Sequence, residues 1–170
     1  MQRTAAAYPG VLGPVTPRSP VRAFAVRVAL VTVVFAALDF VWLAVFMNGF
    51  YKTQLGDMAR LSGGNFAPIW WAAWCVYAAL ILGIVVFVLP RAAGRPARGF
   101  GFGAAFGLVA YGTYDLTAYA VLAGWPLAMT LVDMVWGALI CGLSAATAVL
   151  IEPRLGRADD TLSGARLPTA

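Results

Sequence analysis

The chain has 170 residues, 62% of them hydrophobic and 11% charged, with a net charge of +5 and a mean hydropathy of +0.82. Soluble domains are about 45–50% apolar and about 25% charged, so a water-soluble globular protein is excluded and an integral membrane protein is indicated. The basic balance gives no support to nucleic-acid binding, which needs a basic face outside the membrane.

Residues 1–21 are rich in Pro, Ala and Gly. They lack the run of about 7–15 apolar residues that a cleaved signal peptide carries, and read as a disordered cytoplasmic tail. A membrane domain is expected over 22–152, with helices over about 23–47, 66–89, 99–123 and 127–151. Each clears the ~20 residues needed to cross a ~30 Å hydrocarbon core. Residues 153–170 read as a second disordered cytoplasmic tail. The expected fold is an all-α integral membrane bundle of four transmembrane helices.

The first segment carries Asp39 deep in its apolar run, followed by Trp42 three residues on. That spacing puts both on one helix face. The second segment holds Trp70, Trp71, Trp74 and Tyr77 in its outer half. Trp70 and Trp71 suit an interfacial belt, whereas Trp74 and Tyr77 lie deeper. The third segment begins with Gly99, Gly103 and Gly107, a small-residue ladder that lets helices approach closely. It continues with Tyr111, Tyr114, Asp115 and Thr117. The fourth repeats the pattern of the first, with Asp133 followed by Trp136. Cys75 and Cys141 fall within apolar runs and read as small core residues.

Basic residues set the orientation. The N-terminal flank, the stretch around Arg91, Arg95 and Arg98, and the C-terminal tail are all arginine-rich. The loop after the first segment has only Lys52 and Arg60, and that after the third has none. The positive-inside rule then places both termini of this multi-pass chain in the cytoplasm, as expected for a protein of the bacterial inner membrane.

No Lys, Arg or His lies deep enough to neutralise Asp39, Asp115 or Asp133. Each costs roughly 2.5–3.5 kcal/mol at a helix centre on insertion scales. A 1.5 Å rise per residue places all three at one level, on the outer side of the midplane. The expected site is a protonatable acid cluster in an outer-half cavity above the glycine-packed floor. Asp39, Asp115 and Asp133 line it, with Trp42, Trp136, Tyr111, Tyr114, Trp74 and Thr117 around them.

Such a cavity suits a small amphiphilic or cationic solute, or a lipid, bound or transported. Ring faces attract cations, and intramembrane acids mark ion or substrate paths. The alternative is an intramembrane lipid- or isoprenoid-modifying enzyme using carboxylate acid–base chemistry. A third reading is purely structural, with the acids as interhelical glue. The chain has no histidine and no Asp-rich diphosphate motif, so neither a metal nor a cofactor is expected, and an enzyme is the less favoured class. Membrane lipids are the expected partners. Four helices enclose only a narrow cavity, which leaves room for a homodimer.

These stretches resemble an uncharacterised bacterial family of membrane proteins with a four-helix domain of unknown function. Leu38-Asp39-Phe40-Val41-Trp42, Tyr111-Gly112-Thr113-Tyr114-Asp115-Leu116-Thr117 and Leu131-Val132-Asp133-Met134-Val135-Trp136-Gly137 carry the likeness. It implies the fold and supports the choice of aspartates, and it implies no activity. The family usually has Asn after Tyr-Asp-Leu-Thr, where this chain has Ala118.

Overall fold

A computed structural model describes residues 19–164, with side chains described to Pro153. The fold is predominantly helical. The expected N-terminal tail falls largely outside the described residues, as does the end of the C-terminal one.

Helix α1 spans Pro20–Val41. Ser19 caps it by accepting from the Arg22 backbone N–H at 3.2 Å, and Pro20 stands where its missing N–H costs nothing. The helix widens into a π-helical turn over Trp42–Phe46, where the Met47 N–H donates to Trp42 O at 2.9 Å. The chain then forms a short helix, α2 (Asn48–Leu55), and a minimal hairpin of β1 (Leu61–Ser62) and β2 (Asn65–Phe66). Gly63 and Gly64 close this hairpin at φ 55° and 77°, angles that only glycine adopts without strain.

Helix α3 spans Trp70–Gly83, followed by a second π-helical turn over Ile84–Val88 and by α4 (Leu89–Ala92). The second helix was expected from residue 66. It starts at Trp70 because Phe66 pairs with Leu61 in the hairpin and Pro68 disfavours helical geometry in the residue before it. Ala93 and Gly94, both left-handed, turn the chain into α5 (Pro96–Val121). Helix α6 runs from Leu127 to Gly164 and contains Pro153. The expected disordered tail from residue 153 is thus helical to Gly164. Proline removes one hydrogen bond from a helix, which here does not end it.

Three described helical stretches are long and apolar enough to cross a membrane: Pro20–Phe46, Trp70–Ala92 and Leu127–Pro153. Helix α5 is also long, and its Gly, Tyr and Thr residues make it less apolar.

The core lies in the half of the bundle nearest the α4–α5 turn. Val31 and Phe35 of α1, Ile84, Val85 and Val88 of the second π turn, and Ile140, Cys141 and Ala145 of α6 are buried there. Helices α5 and α6 pack almost backbone to backbone. A Cβ on Gly103 would meet Cys141 O at 2.5 Å, and one on Gly107 would collide with the Gly137 carbonyl. Only glycine permits this approach. At the same end Arg27 of α1 pairs with Glu152 of α6 at 2.8 Å.

Candidate functional site

The opposite end, which carries α2 and the hairpin, holds a connected polar network. Asp39 is buried at the end of α1 and accepts two hydrogen bonds from other helices. The Tyr77 hydroxyl of α3 donates to Oδ2, and Trp136 Nε1 of α6 donates to Oδ1 at 3.1 Å. Asp133 of α6 accepts from the Tyr51 hydroxyl of α2 through Oδ1. The Tyr51 oxygen in turn accepts from Trp42 Nε1 at 3.2 Å. The two halves meet where the Trp42 and Trp136 rings stack, with centroids 4.2 Å apart and planes 4° apart. Face stacking adds about 0.5–1.5 kcal/mol beyond area burial.

The local chain explains this arrangement. The π turn begins at Trp42 and inserts an extra residue per turn, re-aiming the side chains that follow. The chain then folds back so that α2 brings Tyr51 to 8% exposure. Burial, with the bond to Asp133 behind it, pushes the Tyr51 phenol well above its ordinary range. Tyr51 therefore remains a proton donor at any ordinary pH.

Beside this network a groove of about 1050 Å³ runs between α1 and α3, roofed by α2 and the hairpin. Its wall is largely apolar, from Val28 and Ile81 up to Phe40, Trp70 and Trp74. Tyr77 and Tyr51 belong to this wall, and none of the three aspartates does. The arrangement differs from an aspartate-lined cavity: each carboxylate of the network stands behind a tyrosine hydroxyl. The groove also reaches well toward the α4–α5 end of the bundle, because Val28 and Leu82 line it.

The other residues singled out from the sequence take varied places. Trp74 is exposed on the groove wall, tilted toward Tyr77 with ring centroids 6.4 Å apart. Tyr111 lays its ring on Gly137 at the α5–α6 seam. Tyr114 is exposed and meets Trp125 edge-on at 5.8 Å, outside the network. Thr117 lines a separate pocket of about 320 Å³ with Gly112 and Met134. Asp115 is fully buried, and neither carboxylate oxygen has a hydrogen-bond partner. The α5–α6 register, Gly103 to Cys141 and Gly107 to Gly137, carries it to the start of α6, where Met129 and Thr130 are buried.

The site expected from the sequence leaves out Tyr77, although its depth is noted, and Tyr51 is missed altogether. Tyr51 lies just past an apolar run, where an aromatic reads as part of an interfacial belt, and nothing local marks it as buried. Among the described residues no group of three His, Cys, Asp or Glu could hold a metal ion. The network holds and orients hydroxyl and indole donors, and presents two tyrosines to the groove.

No curated protein and no solved structure matches the chain. Residues 24–150 match the model of a family described as predicted membrane protein (DUF2177), and the chain belongs to that family.

Proposed function

We propose that this chain is a multi-pass protein of a bacterial inner membrane that binds a membrane amphiphile in the groove between α1 and α3. On this reading α5 is a fourth span. Its support is the glycine seam, which keeps α5 against α6 from Gly99 to Gly112, and α6 is itself apolar enough to cross. Both termini lie on the cytoplasmic side. Arg22, Arg27, Arg91, Arg95 and Arg98 gather at the α4–α5 end, while Lys52 and Arg60 are the basic residues of the α2–hairpin end, which supports that orientation.

One observation carries the binding reading. Tyr77 and Tyr51 line the groove and donate their hydroxyls to carboxylates behind its wall. Among the described residues no carboxylate lines the wall, and both oxygens of Asp39 are taken by donors. An amphiphile therefore suits the groove better than a small cation.

A structural role is the second reading. It is favoured by the way Asp39 joins α1 to α3 and α6, and Asp133 joins α6 to α2. Native mass spectrometry of the purified protein separates the two. The binding reading expects a co-purifying amphiphile on the wild type and much less on Tyr77→Phe and Asp39→Asn. The structural reading expects lower thermal midpoints with occupancy unchanged. A wild type that carries no amphiphile sinks the binding reading.

A further inference from the structure

We infer that the groove takes one chain of an anionic phospholipid, with Lys52 at its phosphate. This rests on the binding reading above and names the ligand class. Length comes first. From Val28 to Ala44 the groove wall follows the first helix for about 24 Å at the helical rise. That is most of a ~30 Å hydrocarbon core, so the groove is shaped for a long chain and far exceeds a compact solute. Its long wall is apolar from Val28 through Ile81 and Phe40.

Along the wall the Thr32 hydroxyl is taken by Val28 O and the Tyr77 hydroxyl by Asp39, and the remaining polar lining gathers at the upper end. Asn48, Tyr51 and Asn65 line the groove there, beneath the roof of α2 and the hairpin. A chain inserted from the bilayer would place its head at this roof.

Charge selects the head. The Lys52 ammonium stands 5.9 Å from the centroid of the Phe66 ring, and Phe66 is part of the groove mouth. Among the described residues Lys52 has no carboxylate partner, since the ion pair there is Arg27 with Glu152. The ammonium itself stands over that ring, a long cation–π contact that leaves its three N–H donors open to an anion. Among the described residues no carboxylate lines the groove to repel one. An unpaired cation at the mouth of a long apolar slot is complementary to a lipid phosphate, and a zwitterionic head brings its own cation to the same place.

The test uses the full-length protein in a non-ionic detergent. Native mass spectrometry follows the binding of phosphatidylglycerol and phosphatidylethanolamine with identical chains. The wild type is expected to retain phosphatidylglycerol at least fivefold better. Lys52→Gln, a change at a partly exposed position, should bring the ratio close to one. Ala36→Phe or Ala73→Phe, which fill the groove from opposite walls, should lower retention of both lipids. Circular dichroism confirms that each variant is folded.

Equal retention of the two lipids by the wild type, or a preference that survives Lys52→Gln, overturns the inference. If both lipids are still displaced by the groove-filling changes, the binding reading stands without it. Retention unaffected by either folded groove-filling variant means that lipid adheres elsewhere, and overturns the inference and the binding reading together.

Discussion

The α5–α6 seam and the α1–α3 groove are helix pairs of opposite packing. On the seam, Gly103 and Gly107 bring two backbones together until no Cβ fits against the Cys141 and Gly137 carbonyls. Along the groove, Thr32, Phe40, Leu43, Trp74 and Tyr77 hold α1 and α3 apart. The acids follow the same division. Asp115 is shut inside a helix interface with no donor. Asp39 and Asp133 meet tyrosine and tryptophan donors from other helices. Small residues exclude partners along with space, whereas bulky aromatics leave a slot and supply the donors that make a buried acid tolerable.

Substitutions can break this contrast or sharpen it. The largest effect is expected at the seam. Gly107→Leu would drive a side chain into the Gly137 backbone, and overpacking that backbone cannot relieve costs about 3 kcal/mol or more. Reversible unfolding in mixed micelles would register it, and near-wild-type stability would show that the seam is looser than described.

Next is Asp39→Ala, which strands the Tyr77 hydroxyl and the Trp136 indole N–H. Each unsatisfied buried donor costs about 1–3 kcal/mol, and the same unfolding assay should show a loss of that order. Asp115→Leu should do the opposite. It removes a buried polar group that has no partner, and relief of such a group is worth about 1–3 kcal/mol. A thermal midpoint that falls with Asp115→Leu would mean that the carboxylate has a partner in the membrane and would erase the difference between the two regions.

Trp136→Phe keeps a ring against Trp42 but loses the donor to Asp39. The expected loss is about 1 kcal/mol, with most of the stack preserved. The smallest effect is expected for Glu152→Gln. Its pair with Arg27 is partly exposed, and such pairs contribute at most about 0.2–1 kcal/mol. Salt titration of the unfolding midpoint would show that contribution fading as ionic strength rises.

Much of this molecule is legible from local sequence. A chain in hydrocarbon must satisfy its own backbone as helices or as a closed barrel, and continuous apolar runs without strand alternation select helices. The glycine ladder at Gly99, Gly103 and Gly107 announced a close helix contact before its partner was known. The pairs Asp39 with Trp42 and Asp133 with Trp136 marked the faces that come together.

Rotation and adjacency are not written locally. These helices carry apolar residues on nearly every side, so no apolar stripe distinguishes an inward face from a lipid-facing one. Three aspartates at similar depth therefore looked like one cluster. Packing turns Asp39 and Asp133 into a shared network, leaves Asp115 alone against α6, and sends Tyr114 outward to Trp125. Tyr51 is the sharpest case, because it reaches Asp133 across 82 positions of chain only after a π turn and a short helix fold back over the bundle. Hydropathy and spacing are properties of neighbours in sequence and set which segments become helices. The location of the groove, and which acids find donors, are set by contacts between segments far apart in the chain, which exist only once the helices have packed.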